Sequence, residues 1–350
     1  MKDVIINNKK CLFYLHNTFE NNHYALASFV QTVGENGVYF SFLAKRFLEN
    51  RFTDLWKKKD HFLINDVCVG DDFWKTFDLL HVIFDGAPAL ALCMLAYTYD
   101  VPFVLSFHGG YDTNHKIFLP ELRRKICFCV GHSQYTTVVC KSDLLALNGI
   151  GCPQNKIVLA PPAIDFSILP EINRNINYKI TVVARLVPKK GIDTAIRAMA
   201  FLPKEYSLDV IGDGEQRQQL MSLADRLGLR ERITWYGELP QRETLKIIAR
   251  NTFFWHPARK TLDGNAEGIP QVLIYAIALG RLCISTYSGH ISDLFELIDS
   301  GKLVGPDEPM ELACTTQSML CGCKFQDCRS QLNYFGIDFQ LKNWRYIYKI

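Results

Sequence analysis

Short apolar, often β-branched runs alternate along the chain with longer segments whose apolar positions recur every three or four residues. The short runs have the length of buried strands and the longer segments have the period of amphipathic helices. This alternation predicts parallel α/β sheets. In the first half, the predicted strands are 11–15, 38–42, 79–84, 102–107, 137–140 and 156–160, and the predicted helices are 24–33, 43–56, 88–97 and 142–147.

The alternation stops at Pro161 and Pro162 and again in the asparagine-rich run 171–177, because Pro and Asn favour turns and extended backbone. It then resumes. The second series has predicted strands at 178–184, 208–211, 232–236, 252–255 and 282–285, and predicted helices at 192–201, 215–227, 241–249, 268–279 and 291–297.

We therefore predict two Rossmann-like parallel-sheet domains, 1–165 and 178–336, joined by a linker at 166–177. In such sheets ligands bind outside the carboxyl ends of the strands, so a cleft between the two domains is the expected site.

Length and composition agree with this prediction. A chain of 350 residues is long enough for two domains, and 48% apolar with 21% charged residues excludes a disordered or fibrous protein. A net charge of +3 is too small for a nucleic-acid-binding footprint. The apolar stretch 86–99 is shorter than the roughly 20 residues of a membrane-spanning helix. With scattered cysteines and no signal-peptide pattern, we expect reduced thiols and a cytoplasmic location.

The first candidate for chemistry is the basic loop after the strand that opens the second domain. Arg185 and Lys190 lie there, just before a predicted helix. A guanidinium fork, an ammonium and the amides of a helix start together suit a diphosphate. A solvated basic turn is the alternative interpretation.

The second candidate is the segment Glu267-Gly268-Ile269-Pro270, which leads into a predicted helix. Gly268 permits close approach of a ligand, exposed amides can bind a phosphate, and Glu267 can accept hydrogen bonds from sugar hydroxyls. An acid before a helix is also an ordinary structural choice.

Two weaker candidates contain glycines. Gly212-Asp213-Gly214 follows a strand, as a plain strand-to-helix turn also does. In the first domain, His108 and Gly109 come just past the carboxyl end of a strand, facing the expected cleft.

Taken in order, these segments resemble the group 1, or family 4, glycosyltransferases of the two-domain GT-B fold. The segments that carry the resemblance are 107–109, 163–165, 185–191, 212–214, 267–270 and 287–293. Residues 337–350 are similar to the family's terminal helix, which returns to the first domain. The likeness covers about residues 78–350.

The resemblance implies roles for individual residues. Arg185 and Lys190 would neutralise the diphosphate of a nucleotide-sugar donor, which is the leaving group. Glu267 with the amides of Gly268 and Ile269 would hold the donor sugar and its phosphate. His108, with Gly109 beside it, would line the site near the reacting sugar. The family's reaction retains the anomeric configuration and uses no metal, so we expect no cofactor.

Two departures from the family pattern stand out. The position of the family's second glutamate, which binds the ribose, is Tyr275, and a phenol offers a single hydroxyl in place of a carboxylate. The family's glycine-rich first loop is replaced by residues 19–23, so no acceptor site is assigned in residues 1–77.

Two other clusters have competing interpretations. Residues 44–60 are rich in Lys and Arg with an apolar stripe, typical of a helix that lies on an anionic membrane or of one that packs into its own core. Cys314, Cys321, Cys323 and Cys328 lack the paired spacing of a zinc site and have no histidine nearby.

The sequence thus predicts a retaining, metal-independent glycosyltransferase at the cytoplasmic face of a membrane. It would pass a sugar from a nucleotide donor to a lipid-linked or oligosaccharide acceptor in surface polysaccharide synthesis. A catalytically silent GT-B subunit that binds a partner glycosyltransferase or a nucleotide sugar is the first alternative, and a phosphorylase is the second.

Overall fold

The computed structural model describes residues 5–6, 9–15, 39–44, 62–64, 67–69, 77–84, 86–107, 120–172, 174–262, 266–298, 301–320 and 328–348. Contacts within the chain divide it into two compact units. Unit 1 comprises Met1–Ala163 and Ile337–Ile350, and unit 2 comprises Ile164–Gly336.

The strands of unit 1 are β1 (Ile5–Ile6), β2 (Lys9–Leu15), β3 (Tyr39–Ala44), β4 (Phe62–Ile64), β5 (Val67–Val69), β6 (Leu79–Ile83), β7 (Phe103–Phe107), β8 (Tyr135–Val138) and β9 (Ile157–Leu159). Seven of them form one sheet in the order β1-β2-β6-β7-β8-β9, with β3 paired to β2, and β4 pairs with β5 alone. All pairs in the large sheet are parallel except β1 with β2.

One predicted helix of unit 1 begins in the wrong place. Leu43 and Ala44, predicted as the start of helix 43–56, are the last residues of β3, where they pair with Tyr14 and Leu15. The ladder to β2 continues through these two apolar residues, so sheet pairing and not helical periodicity decides their conformation. Residues 45–60 lie outside the described part of the chain.

The helices α1 (Ala87–Thr98), α2 (Pro120–His132) and α3 (Lys141–Gly149) belong to unit 1. They share an apolar core with alternate strand residues such as Leu80, Leu105 and Val138. The C-terminal helix Ile337–Tyr348 groups with this unit. Its Ile347 carbonyl accepts a hydrogen bond from Gln134 Nε2 at 2.6 Å.

Unit 2 contains β10 (Lys179–Val183), α4 (Ile192–Met199), β11 (Ser207–Ile211), α5 (Arg217–Arg226), β12 (Ile233–Gly237), α6 (Gln241–Arg250), β13 (Phe253–His256), α7 (Gln271–Ala278), β14 (Leu282–Thr286), α8 (Ile291–Phe295), β15 (Lys302–Val304) and α9 (Pro309–Leu320). The six strands form a parallel sheet in the order β12-β11-β10-β13-β14-β15. The chain order reverses between β10 and β13, and ligands bind such sheets at the carboxyl ends of the strands beside this switch point.

The segment predicted as a linker, 166–177, groups with unit 2. Its end is anchored by Asn177, whose backbone N–H donates to Thr252 Oγ1 at 2.7 Å and whose Nδ2 donates to the Arg250 carbonyl at 2.8 Å. Just before it, Ile164 bridges to Gly336. These bonds tie both ends of the segment to unit 2.

Within the described part of the chain, no helix combines the length and the apolar character needed to cross a bilayer.

Candidate functional site

Lys190 and Glu267 meet at the switch point of the unit 2 sheet. Lys190 ends a short 3₁₀ turn, Pro188–Lys190, in the loop between β10 and α4, and Glu267 lies in the loop between β13 and α7. Lys190 Nζ donates to Glu267 Oε2 at 2.7 Å, and Lys189 Nζ is 3.4 Å from Oε1. The Glu267 side chain is only 7% exposed, so this carboxylate is buried between two ammonium groups. The fold thus brings together two residues that lie 77 positions apart in the sequence.

His256, the last residue of β13, completes the cluster. Its buried ring has Nε2 3.8 Å from Glu267 Oε2, which is longer than a hydrogen bond. The Ser285 hydroxyl donates to the His256 carbonyl at 2.8 Å, which fixes this strand end against β14.

Burial and neighbouring charges shift the pKa of each group in the cluster. Burial lowers the pKa of Lys190, although the Glu267 carboxylate opposes this effect. Burial also lowers the pKa of His256, which favours a neutral imidazole. For Glu267, burial alone would raise the pKa, but Lys190, His256 and Lys189 hold it well below the usual value. The cluster therefore holds an ionised carboxylate in a buried place.

The charged groups that act on Lys190 are unequal in number. Among the described residues, the carboxylate of Glu267 raises the pKa of Lys190, whereas the two cations Lys189 and Arg185 lower it. The local charge is thus positive, at the edge of a parallel sheet where phosphates ordinarily bind. This arrangement is suited to an anion with more than one negative charge.

The Gly-Asp-Gly turn after β11 positions the Arg185 loop. Gly212 has φ +124°, and a Cβ there would lie 2.0 Å from the Ala184 carbonyl oxygen. A Cβ on Gly214 would lie 2.7 Å from the Leu186 carbonyl oxygen. Both glycines therefore let the turn pack against the residues that flank Arg185, whose side chain stays exposed.

The loop after β13 is clamped onto the Lys190 loop. Gly191 has φ +63°, and a Cβ there would lie 1.8 Å from the Pro257 carbonyl oxygen. Arg259 donates its backbone N–H to the Lys189 carbonyl at 2.8 Å. The Arg259 guanidinium pairs with Asp193 and, at 2.9 Å, with Asp307. These contacts hold the lysines and the Glu267 loop in register.

The helix after Glu267 begins later than predicted. The first residue of α7 is Gln271, with Pro270 as its N-cap, whereas the sequence predicts a helix from residue 268. Gly268 and Ile269 therefore precede the first turn, because Pro270 has extended φ and ψ angles. Their amides as phosphate ligands remain a prediction.

Tyr275 lies within α7 and is largely buried. Its hydroxyl accepts a hydrogen bond from Gln241 Nε2, on the first residue of α6, at 3.1 Å. Burial raises the pKa of this phenol to about 12, so it is neutral at physiological pH. The two helices that follow β12 and β13 are joined by this bond.

Several predicted sites fall outside the described residues. These are His108 and Gly109, the replaced loop 19–23, the basic segment from residue 45 to 60, and two of the four clustered cysteines, Cys321 and Cys323. Of the other two, Cys314 is exposed and Cys328 is buried.

Sequence reasoning missed two members of the cluster. Lys189 stands beside a residue that was identified, and His256 directly follows the predicted strand 252–255. The position of a polar residue just past the carboxyl end of a strand was the available signal for His256.

A family model described as Glycosyl transferases group 1 matches residues 170–324, which lie within unit 2. Among curated proteins, the colanic acid biosynthesis glycosyltransferase WcaL of Escherichia coli K12 is 32% identical over 180 residues, covering 49% of this chain and 44% of WcaL. The amylovoran biosynthesis glycosyltransferase AmsK of Erwinia amylovora is 27% identical over 216 residues, covering 60% of this chain and 53% of AmsK. The chain thus spans about half the length of these relatives.

Among solved structures, Anabaena Alr3699/HepE in complex with UDP and glucose matches with a TM-score of 0.73 at 14% identity, covering 97% of this chain and 99% of that one. At this identity the likeness concerns the fold, and it confirms the predicted GT-B fold with two parallel-sheet α/β units. Residues 170–324 of the second unit are thus similar to the group 1 glycosyl transferases, in agreement with the names of WcaL and AmsK.

Proposed function

We propose that this protein is a glycosyltransferase that moves a sugar from a nucleotide-sugar donor to a lipid-linked or oligosaccharide acceptor in surface polysaccharide biosynthesis. The observation that carries the proposal is the buried Lys190–Glu267 pair at the switch point of the unit 2 sheet, within a positive local charge. The names of WcaL and AmsK support a surface polysaccharide, and the UDP and glucose bound by HepE support a nucleotide-sugar donor.

In the proposed reaction the bond between the sugar and the nucleotide diphosphate breaks, and a bond to an acceptor hydroxyl forms. The hydroxyl proton leaves with the diphosphate. Lys190 and Arg185 stabilise the charge that develops on the leaving diphosphate, as fixed positive groups do in such transition states. Glu267 accepts hydrogen bonds from the sugar hydroxyls. We propose that these cations act without a metal and that the reaction retains the anomeric configuration.

The acceptor side of the proposal rests on the first unit. His108 with Gly109 would line the reacting sugar, and the basic segment 44–60 would contact an anionic membrane at its cytoplasmic face. Both assignments come from the sequence.

A catalytically silent subunit is the second candidate, and Tyr275 is the observation that favours it. The hydroxyl of Tyr275 is engaged by Gln241, at a position where the family has a ribose-binding glutamate. A silent subunit would bind the nucleotide sugar without releasing its nucleotide.

Titration calorimetry with UDP, GDP, ADP and dTDP tests the donor site. The proposal predicts that one of these diphosphates binds and that Lys190→Ala weakens it by about tenfold or more, the equivalent of about 1.4 kcal/mol. The matched control is Lys246→Ala, because Lys246 pairs with Glu243 at the same 2.7 Å but on an exposed helix face. Equal losses in both variants, or no binding to the wild type, would contradict the proposal.

A further inference from the structure

His256 has a buried ring nitrogen, Nε2, that makes no hydrogen bond within the described part of the chain. Its side chain is 3% exposed, and among the described residues no group bonds Nε2. The nearest acceptor is Glu267 Oε2, at 3.8 Å. An unsatisfied buried nitrogen costs free energy, and a movement of about 1 Å would bring this pair to hydrogen-bond distance. A small movement of the side chains would therefore let His256 Nε2 hydrogen-bond to Glu267 Oε2.

Lys190 is the group that now occupies Glu267 Oε2. Its Nζ provides the hydrogen bond to that oxygen, and Oε1 accepts none from the described residues. If Lys190 turns toward a bound diphosphate, the Glu267 carboxylate loses this bond while it stays buried. Lys189 Nζ remains 3.4 Å from Oε1, but Oε2 is then buried without a hydrogen bond, which is unfavourable, so a donor that reaches Oε2 stabilises this state.

We propose that His256 is a positioning residue for Glu267. When the donor diphosphate binds, the Nε2–H of His256 replaces the Lys190 ammonium as the hydrogen-bond donor to Glu267 Oε2. The carboxylate then keeps its orientation toward the sugar hydroxyls. This inference rests on the proposed function. The groups that act on the His256 ring are Glu267, Lys190 and Lys189, and burial lowers the pKa of His256, so the ring is neutral. A neutral ring has one N–H, and the proposal places it on Nε2, the nitrogen nearest to Glu267 Oε2.

The kinetic test compares two variants of similar volume. Glutamine keeps an N–H donor in place of Nε2, whereas leucine has none. We expect His256→Leu to lower kcat/KM for the nucleotide sugar about tenfold, as loss of a hydrogen bond to a charged group does. Affinity for the nucleotide diphosphate, which also draws Lys190 away from Glu267, should fall by a similar factor in His256→Leu and recover in His256→Gln. His256→Gln should restore most of kcat/KM, and equal losses in both variants would show a packing role and overturn the proposal.

A stability test needs no turnover. Lys190→Met withdraws the ammonium permanently, as the diphosphate is proposed to do transiently. We compare the Tm of His256→Gln with that of His256→Leu, first with Lys190 intact and then with Lys190→Met in both. The Tm difference between the two variants should be about 2–4 °C larger in the Lys190→Met background. An unchanged difference contradicts the role of His256. If the wild type turns over no nucleotide sugar, the proposed function fails, and this cycle still decides the inference.

Discussion

Gly289 packs directly against the backbone of Glu267. A Cβ on Gly289, at φ +58°, would lie 1.9 Å from the Glu267 carbonyl oxygen, and the next residue, His290, donates its backbone N–H to that same oxygen at 3.1 Å. The loop after β14 therefore fixes the backbone of Glu267, while Lys190 fixes its side chain. The orientation of this carboxylate depends on both contacts.

Replacing Gly289 by alanine should displace Glu267. We expect Gly289→Ala to lower stability by about 3 kcal/mol, from left-handed strain of roughly 1–2 kcal/mol together with the clash. Thermal unfolding measures the loss. Gly228→Ala is the matched control, because Gly228 has φ +68° with nothing within 4 Å of its Cβ position. Equal Tm losses in the two variants would show that the contact with Glu267 is unimportant.

Glu267 should contribute to stability at neutral pH and lose that contribution in acid. Because the pKa of Glu267 is held well below its usual value near 4.5, the unfolded chain takes up the proton first as pH falls. The contribution is therefore complete above that usual value and is lost as pH falls toward the folded-state pKa. We expect the Tm gap between the wild type and Glu267→Gln to narrow from pH 6 to about pH 3.

Glu243→Gln provides the control for this pH series, since Glu243 is in an exposed pair with Lys246. Its Tm gap from the wild type should stay small at every pH, as exposed ion pairs contribute little. A constant gap for Glu267→Gln would mean that its carboxylate is not held ionised in the folded protein.

Tyr275→Phe tests whether the phenol hydroxyl binds the ribose, as the glutamate at this position does in the family. We expect affinity for the nucleotide diphosphate to fall roughly two- to tenfold, the effect of one neutral hydrogen bond. Gln241→Leu breaks the same internal bond but leaves the hydroxyl of Tyr275 in place, so it should retain affinity. If Tyr275→Phe binds as the wild type does, Tyr275 makes no ligand contact.

Local pattern was sufficient to predict most of unit 2. The predicted strand 208–211 and helix 241–249 differ from β11 and α6 by one residue at one end. In such elements the spacing of apolar residues within the segment matches the side that is buried, so the local sequence is enough to predict them. The start of α7 differs from the prediction because the backbone at Pro270 is extended, with φ −71° and ψ 117°. Apolar periodicity does not reveal this conformation.

Contacts between distant segments could not be predicted. The apolar periodicity around Leu43 predicts a helix, but Leu43 pairs with Tyr14 and is therefore part of a strand. The sequence identified Lys190 and Glu267 separately, but their 2.7 Å pairing depends on the order of strands in the sheet. His256 was missed because its importance arises from its 3.8 Å approach to the Glu267 carboxylate, which depends on the path of the loop after β13.

Release of the diphosphate from a nucleotide sugar shows whether the Lys190–Glu267 pair forms a donor site that catalyses sugar transfer. Purified protein is incubated with UDP-, GDP-, ADP- and dTDP-sugars, and the diphosphate is quantified for the wild type, Lys190→Ala, Glu267→Ala and the exposed-pair control Lys246→Ala. We expect release with one donor class by the wild type and the control. Release should fall by about 100-fold or more in the two site variants, with the fold retained by circular dichroism. Unchanged release in either folded site variant would contradict the proposed function.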